Sequence, residues 1–308
     1  MSDVDCCQDN KISSDEFSQF HPFVNFAYFV FIFIFSMILN DPASQITSLV
    51  CAFACGISAG GARGFLFNFK YSVPLLLFTA VLNPIFSHEG CTILAYFPTG
   101  NPLTLESILY GISSGCMLAA ILSWFMFFNE VITSDKFIYL FGRIIPSLSL
   151  LLSMTLRFIP KFKSRIETVS EAQRCIGRDI SHGSIFKRMK NAVIILSIVI
   201  TWSLENAIKT ADSMKSRGYG LKGRTAFSIY RFDERDRDLL GWIIFSGAYI
   251  ICGYAAGAFD WRYFPSIRGF LMTPFSVSFH VIYFLICITP VIINEKEKRK
   301  WKNIRSGI

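Results

Sequence analysis

Residues 269–293 read GFLMTPFSVSFHVIYFLICITPVII, and residues 294–305 continue NEKEKRKWKNIR. The first stretch holds no Lys, Arg, Asp or Glu and exceeds the roughly 20 apolar residues that cross a bilayer as a helix. Lipid offers no partner for backbone N–H and C=O groups, so a run of this kind satisfies them internally as a helix. Its abrupt end in a basic segment reads as a membrane exit. Five further runs pass the same test: Pro22–Leu39, Ala43–Ala62, Tyr71–Ser87, Ser107–Phe128 and Leu239–Phe259. The run Tyr71–Ser87 is the least regular, because Pro74 and Pro84 leave a re-entrant piece as the alternative to a full span.

Composition agrees. Of 308 residues, 52% are hydrophobic and only 17% charged, with 32 Phe, and the mean hydropathy is +0.45. A soluble domain of this length rarely carries so apolar a balance. The net charge of +8 is segregated along the chain, which argues against a nucleic-acid partner. With the N-terminus inside, the outer loops fall near 40–42, 88–106 and 260–268. Of the 30 basic residues, all but Arg262 and Arg268 then lie on the inner side. This is the positive-inside pattern of a multi-pass protein of the cell (cytoplasmic) membrane, with both termini cytoplasmic. The first twenty residues are polar and acidic (Asp3, Asp5, Asp9, Asp15, Glu16) and lack the basic-then-apolar order of a secretory signal.

The nine cysteines follow no disulfide or zinc spacing. Cys51, Cys55, Cys116, Cys252 and Cys287 sit in apolar runs, where Cys acts as a small hydrophobe. Cys51 and Cys55 share a helix face, yet no His or carboxylate stands near them in sequence, so no metal site is assigned. Acylation of Cys6-Cys7 is the alternative to free thiols.

Residues 135–238 separate the fourth and fifth runs and alternate apolar with basic. Ile144–Leu156 and Asn191–Leu204 are apolar but too short to span comfortably. From Pro160 to Gly177, Phe162, Ile166, Val169, Ala172 and Ile176 recur at helical spacing opposite Lys161, Lys163, Arg165, Glu167 and Arg174. Pro160 suits the first turn of this helix and Gly177 its stop. A second helix is expected over about Asn191–Arg217, with Leu204, Ala207, Ile208, Ala211 and Met214 as its apolar stripe. Gly218 can take the left-handed conformation that closes a helix, and Arg217 suits the last turn. Taken alone, Arg217-Gly218 reads as a good C-cap. Taken together, the two helices read as stiff levers with basic tips, and Arg forks pair carboxylates bidentately.

At these two helix ends the sequence resembles the T components of energy-coupling factor (ECF) transporters, the transmembrane subunits of cobalt, nickel and biotin systems. That family ends two cytoplasmic coupling helices in Ala-Arg-Gly. The second end matches in Ser216-Arg217-Gly218, with Ser216 in the Ala place. The first is recognised by Arg157-Phe158-Ile159-Pro160, then Glu171-Ala172-Gln173-Arg174, then Gly177. Its own triplet reads Cys175-Ile176-Gly177, with Ile176 where Arg is expected; Arg174 and Arg178 are the candidates to replace it. His21-Pro22 is similar to the family's entry into its first span. Ala62-Arg63-Gly64 is taken as an unrelated cap at the end of a span.

The resemblance implies an all-α polytopic membrane protein with about six transmembrane helices and a cytoplasmic helical coupling region. Residues 1–20 would form a cytoplasmic tail, 21–132 four transmembrane helices, 133–238 the coupling helices, 239–293 two more spans and 294–308 a basic tail. It implies docking of two ABC ATPase subunits through Arg217 and through Arg174 or Arg178. It further implies movement of a membrane-embedded substrate-binding S component, for uptake of a vitamin or transition-metal ion. Catalytic residues and cofactors are not expected. No stretch has phosphate-loop spacing; Gly218–Thr225 lacks both the spacing and the Lys-Ser. A conventional ABC importer permease would use Glu171-Ala172-Gln173 and Gly177 as its docking loop but leaves Arg217-Gly218 without a role. A membrane enzyme would need the acids of Asp233–Asp238 to converge on a metal. Arg235 and Arg237 alternate with them, which favours a self-paired surface. His21, His88, His182 and His280 are scattered, with no partner at ligand spacing.

Overall fold

The computed structural model describes residues 16–87, 89–96, 102–142, 146–180, 184–219, 221, 230–269 and 273–306. The tail before Glu16 with Cys6 and Cys7, and also His88, Arg143 and His182, lie outside the described residues. Among the described residues eight α-helices follow in order: α1 Pro22–Ile38, α2 Pro42–Phe86, α3 Leu105–Val131, α4 Ser134–Gly142, α5 Pro146–Cys175, α6 Ile185–Ser216, α7 Glu234–Ala255 and α8 Pro274–Ser306. A short 3-10 helix, Glu16–Gln19, precedes them. Two small antiparallel hairpins occupy expected loops: β1 (Ile93–Tyr96) with β2 (Pro102–Thr104), and β3 (Trp261–Arg262) with β4 (Arg268–Gly269). The chain divides into two compact units, one built from residues up to Lys136 and from Tyr230 onward, the other from Phe137–Ile229.

In the first unit, α2 breaks once. Gly61 has φ 62° and ψ −148°, a conformation open essentially to glycine alone. The helix doubles back there: the rings of Phe53 and Phe65 lie 6.0 Å apart, whereas twelve residues of straight helix would separate them by about 18 Å. Gly64 meets the backbone of Gly56 so closely that a Cβ on it would lie 2.5 Å from the Gly56 carbonyl oxygen. The turn is therefore tighter than expected. Ala62-Arg63-Gly64 begins the second limb and does not cap the first. That limb runs helically through Pro74 and Pro84. It stays whole because α3 packs along it through a ladder of small residues, Ser107, Gly111, Gly115, Ala119 and Ser123, all buried. Gly111 and Gly115 leave no room for a Cβ against Ala80 and Leu76, the close approach that small residues permit between membrane helices.

Aromatic rings fill the core of this unit. Phe17, Tyr28, Phe29, Trp124 and Phe127 are buried and meet at centroid distances of 5.2–6.4 Å, the range of edge and offset ring contacts. Their polar handles are used. Trp124 Nε1 donates to Ser48 Oγ (3.0 Å) and Tyr28 to the carbonyl of Ile286 (3.2 Å). The buried Cys55 thiol donates to the carbonyl of Cys287 (3.7 Å).

The passes gather the expected loops at two ends. At one, Tyr263 reaches the carbonyl of Asn40, Tyr110 packs on Tyr263 and Phe264, and His280 Nε2 lies 2.9 Å from Asp41 Oδ2. At the other, Phe17 N–H donates to Asn294, Asn294 to Ser58, and His21 N–H to Asp236. There Lys136 donates to Ser18 and to the carbonyl of Val131. The run Asp233–Asp238 is self-paired. Asp233 and Asp236 form a capping box, and Arg237 lies within 4.0 Å of both Glu234 and Asp238.

Among the described residues, six helical segments are long and apolar enough to span: both limbs of α2, then α3, α6, α7 and α8. The number is as expected but the membership differs. α1 has 17 residues, the lower limit for a span. α6 has 32, because the apolar Asn191–Leu204 is fused to helix on both sides, and a single acid, Glu205, does not interrupt it.

In the second unit, α5 and α6 run antiparallel, joined through residues 176–184. Val169 packs with Ile195 and Val199, flanked by Phe162 and Ile180. The ring of Phe162 meets Trp202 edge-on at 6.1 Å. One expectation fails here. Pro160 lies inside α5, not in its first turn; the apolar block before it and the amphipathic run after it form one helix, and Pro removes one hydrogen bond without ending it. The apolar stripes read in the sequence are mostly uncovered. Ile166 and Ala172 on α5, Ile176 just after it, and Leu204, Ala207, Ile208 and Ala211 on α6 are exposed, because among the described residues of this unit α5 and α6 bury a face chiefly against each other.

Candidate functional site

The two helix ends singled out in the sequence share one backbone geometry. At the end of α5, Arg178 N–H donates to the Gln173 carbonyl and Gly177 N–H to that of Arg174, both at 2.9 Å; Gly177 has φ 83°. At the end of α6, Tyr219 N–H donates to Met214 and Gly218 N–H to Lys215, both at 3.0 Å; Gly218 has φ 79°. Both are Schellman closures, which need a left-handed residue and so select glycine. Aligning them puts Ile176 where Arg217 stands and Arg174 where Lys215 stands. The closure alone carries no function: α7 ends the same way at Gly257, behind Ala256. What sets the first two apart is the basic residues of their last turns and caps, Arg174 at one and Lys215 with Arg217 at the other, where the last turn of α7 has none.

At the second end, Ser216, Arg217 and Tyr219 are exposed. Ser216 Oγ donates to the carbonyl of Ser213 (2.9 Å), so its hydroxyl is satisfied within its own helix. No carboxylate among the described residues pairs with Arg217. At the first end, Arg174, Cys175, Ile176, Gly177 and Arg178 are all exposed, and Ile176 is 69% so. Arg174 Nε lies 3.7 Å from Asp179, and Arg178 is held loosely to the Gln173 side chain at 3.5 Å. Both candidate replacements thus flank the isoleucine, each with a weak local partner.

The ends are far apart. Asn191 on α6 donates to the carbonyl of Asp179, and Arg188 to that of Ile180, so the first end lies beside the start of α6. From Asn191 to Arg217 a helix rises roughly 40 Å. Among the other residues marked in the sequence, Glu171 and Ala172 are exposed on α5. Arg157 lines a groove with the last turns of α6. Trp202 was not legible as special. It stands within an apolar run, but Lys161 and Arg165 stack on it at 5.5 and 5.2 Å, a cation–π clamp near the middle of the pair.

By its fold the chain is a polytopic helical membrane protein that carries a basic-tipped helix pair. The chain belongs to the CbiQ family, described as cobalt transport protein, whose model matches residues 21–227. It is 31% identical over 56% of its length, and 68% of the relative's, to energy-coupling factor transporter transmembrane protein EcfT 1 of Listeria monocytogenes. It is 26% identical to the EcfT protein of Listeria innocua over 65% of this chain and 87% of that one. To that of Lactobacillus helveticus it is 28% identical over 69% and 81%. The family match spans α1 to α6 and includes both capped ends.

Proposed function

We propose that this chain is the scaffold that couples two ABC ATPase subunits to a membrane-embedded S component in an energy-coupling factor importer. Both termini lie in the cytoplasm of a bacterial-type cell membrane, as the placement of basic residues favours. The supporting observation is Arg217, a guanidinium without a carboxylate partner among the described residues, presented on the rigid closed end of a long helix. Such a fork is suited to carboxylates on a docking partner. The first end, about 40 Å away, would meet the second ATPase copy through Arg174 or Arg178. Closure of the ATPases would then move α5 and α6. Their uncovered apolar residues, Leu204 and Ile208 among them, would slide against the S component without breaking directional bonds.

Arg217→Glu tests this reading. The variant is expected to insert normally and to lose co-purification of the ATPases, or substrate uptake, by at least tenfold, the scale of one charged docking contact. Uptake at the wild-type rate in Arg217→Glu would overturn the reading.

A further inference from the structure

Between α5 and the last turns of α6 lies an open groove of about 910 Å³, near the upper end of small-molecule sites. Leu150, Met154 and Met214 supply apolar wall; Arg157, Lys161 and Arg217 supply charge. Lys209 also lines it but is spoken for by Glu205 at 2.6 Å. No acid stands among the lining residues. Gathering like charges around one depression is unfavourable unless something anionic offsets them. The charged part of the α5 wall begins where its apolar block ends, at Arg157, so along one helix the wall changes from hydrocarbon-like to cationic. Its α6 wall is the polar last turns of that helix, with Thr210 and Ser213 beside Met214.

We propose that this groove seats an anionic phospholipid. The headgroup phosphate lies on Arg157 and Lys161, and an acyl chain starts along Leu150, Met154 and Met214. An amphiphile of this kind answers both surfaces at once; a soluble anion would leave the apolar wall wet, and an uncharged lipid would leave Arg157 without an anion and Lys161 with only the face of Trp202. The site adjoins Arg217, so lipid occupancy would bear on the helix end that docks the ATPase. The inference does not depend on that docking, because it needs only the chain in a membrane.

Native mass spectrometry of the full chain, released from micelles holding equal phosphatidylglycerol and phosphatidylcholine, tests it. Wild type is expected to keep one phosphatidylglycerol in preference to phosphatidylcholine. Arg157→Gln with Lys161→Gln, both exposed positions, is expected to lower that adduct about tenfold. Lys298→Gln with Lys300→Gln on the basic tail controls for general attraction and is expected to keep it. Ser213→Trp fills the groove without touching charge and is expected to exclude the lipid. Equal retention in wild type and the Arg157/Lys161 variant overturns the proposal. So does displacement of the lipid by millimolar glycerol phosphate, which would mark a soluble phosphate site. So, too, does a variant that keeps its lipid but loses the ATPases, which would mark a protein seat. Arg217 is left intact throughout, so failure of the docking reading is scored separately.

Discussion

Ile176 is the residue that separates the two helix ends. The closures around it and around Arg217 have the same hydrogen bonds, and both side chains are exposed, so its identity is not demanded by folding. Ile176→Arg is therefore expected to leave the melting temperature of the purified protein within about 1 °C, since exposed substitutions usually cost under 0.5 kcal/mol. The same change is expected to raise ATPase retention in a pull-down, because it restores a guanidinium at a site of matching geometry. At the other end of the chain, His21 caps α1 by accepting from Phe23 N–H at its Nδ1 (3.2 Å). Burial lowers its pKa below the ordinary value, with Asp236 pulling the other way. Folded, the ring binds fewer protons than unfolded, so its contribution is present above the unfolded pKa of about 6.5 and fades as the pH falls through it. Wild type is expected to lose more thermal stability between pH 7.5 and 5.5 than His21→Asn, which caps without titrating. Equal losses would remove His21 from the account.

At the scale of elements, the helices were legible as apolar periodicity but their lengths were not. Pro160 looked like a start because proline favours a first turn. In a long helix an interior proline forfeits one hydrogen bond, and the continuous flanking residues carry the helix through. Asn191–Leu204 looked short because counting stopped at charges, while the helix runs on past Glu205. The doubling of α2 was hidden for a different reason. Gly60 and Gly61 sit inside a run that reads as a simple span, and only the fold reveals which glycine takes φ 62°. Gly61→Ala is expected to cost 1–3 kcal/mol, the scale of a residue forced into that region. The limbs would part first where Gly56 and Gly64 touch. Hydrogen exchange along residues 53–68 reads this directly, and unchanged protection would contradict the hairpin. The small-residue ladder of α3 was visible every fourth position, yet its partner limb could not be chosen without the turn.

For the molecule as a whole, the helical membrane class followed from charge-free runs and basic segments, and the two candidate ends from a closing glycine with cations close by. What local chemistry withheld were contacts across long separations. Asp41 with His280, Phe17 with Asn294 and Tyr28 with Ile286 unite residues more than 200 positions apart, and no spacing rule relates them. The uncovered stripes of α5 and α6 were legible as apolar periodicity, and under the proposed scaffold role they would be faces for partners in other chains. The claim that governs the rest is that the end of α6 touches an ATPase. A photo-crosslinking side chain in place of the exposed Lys215, two residues from Arg217, measures it within the assembled complex, with Cys175 replaced likewise for the first end. The account predicts ATPase adducts from position 215, and a doubly substituted chain that captures two ATPase subunits. An intact complex in which position 215 labels only lipid or its own chain would contradict it.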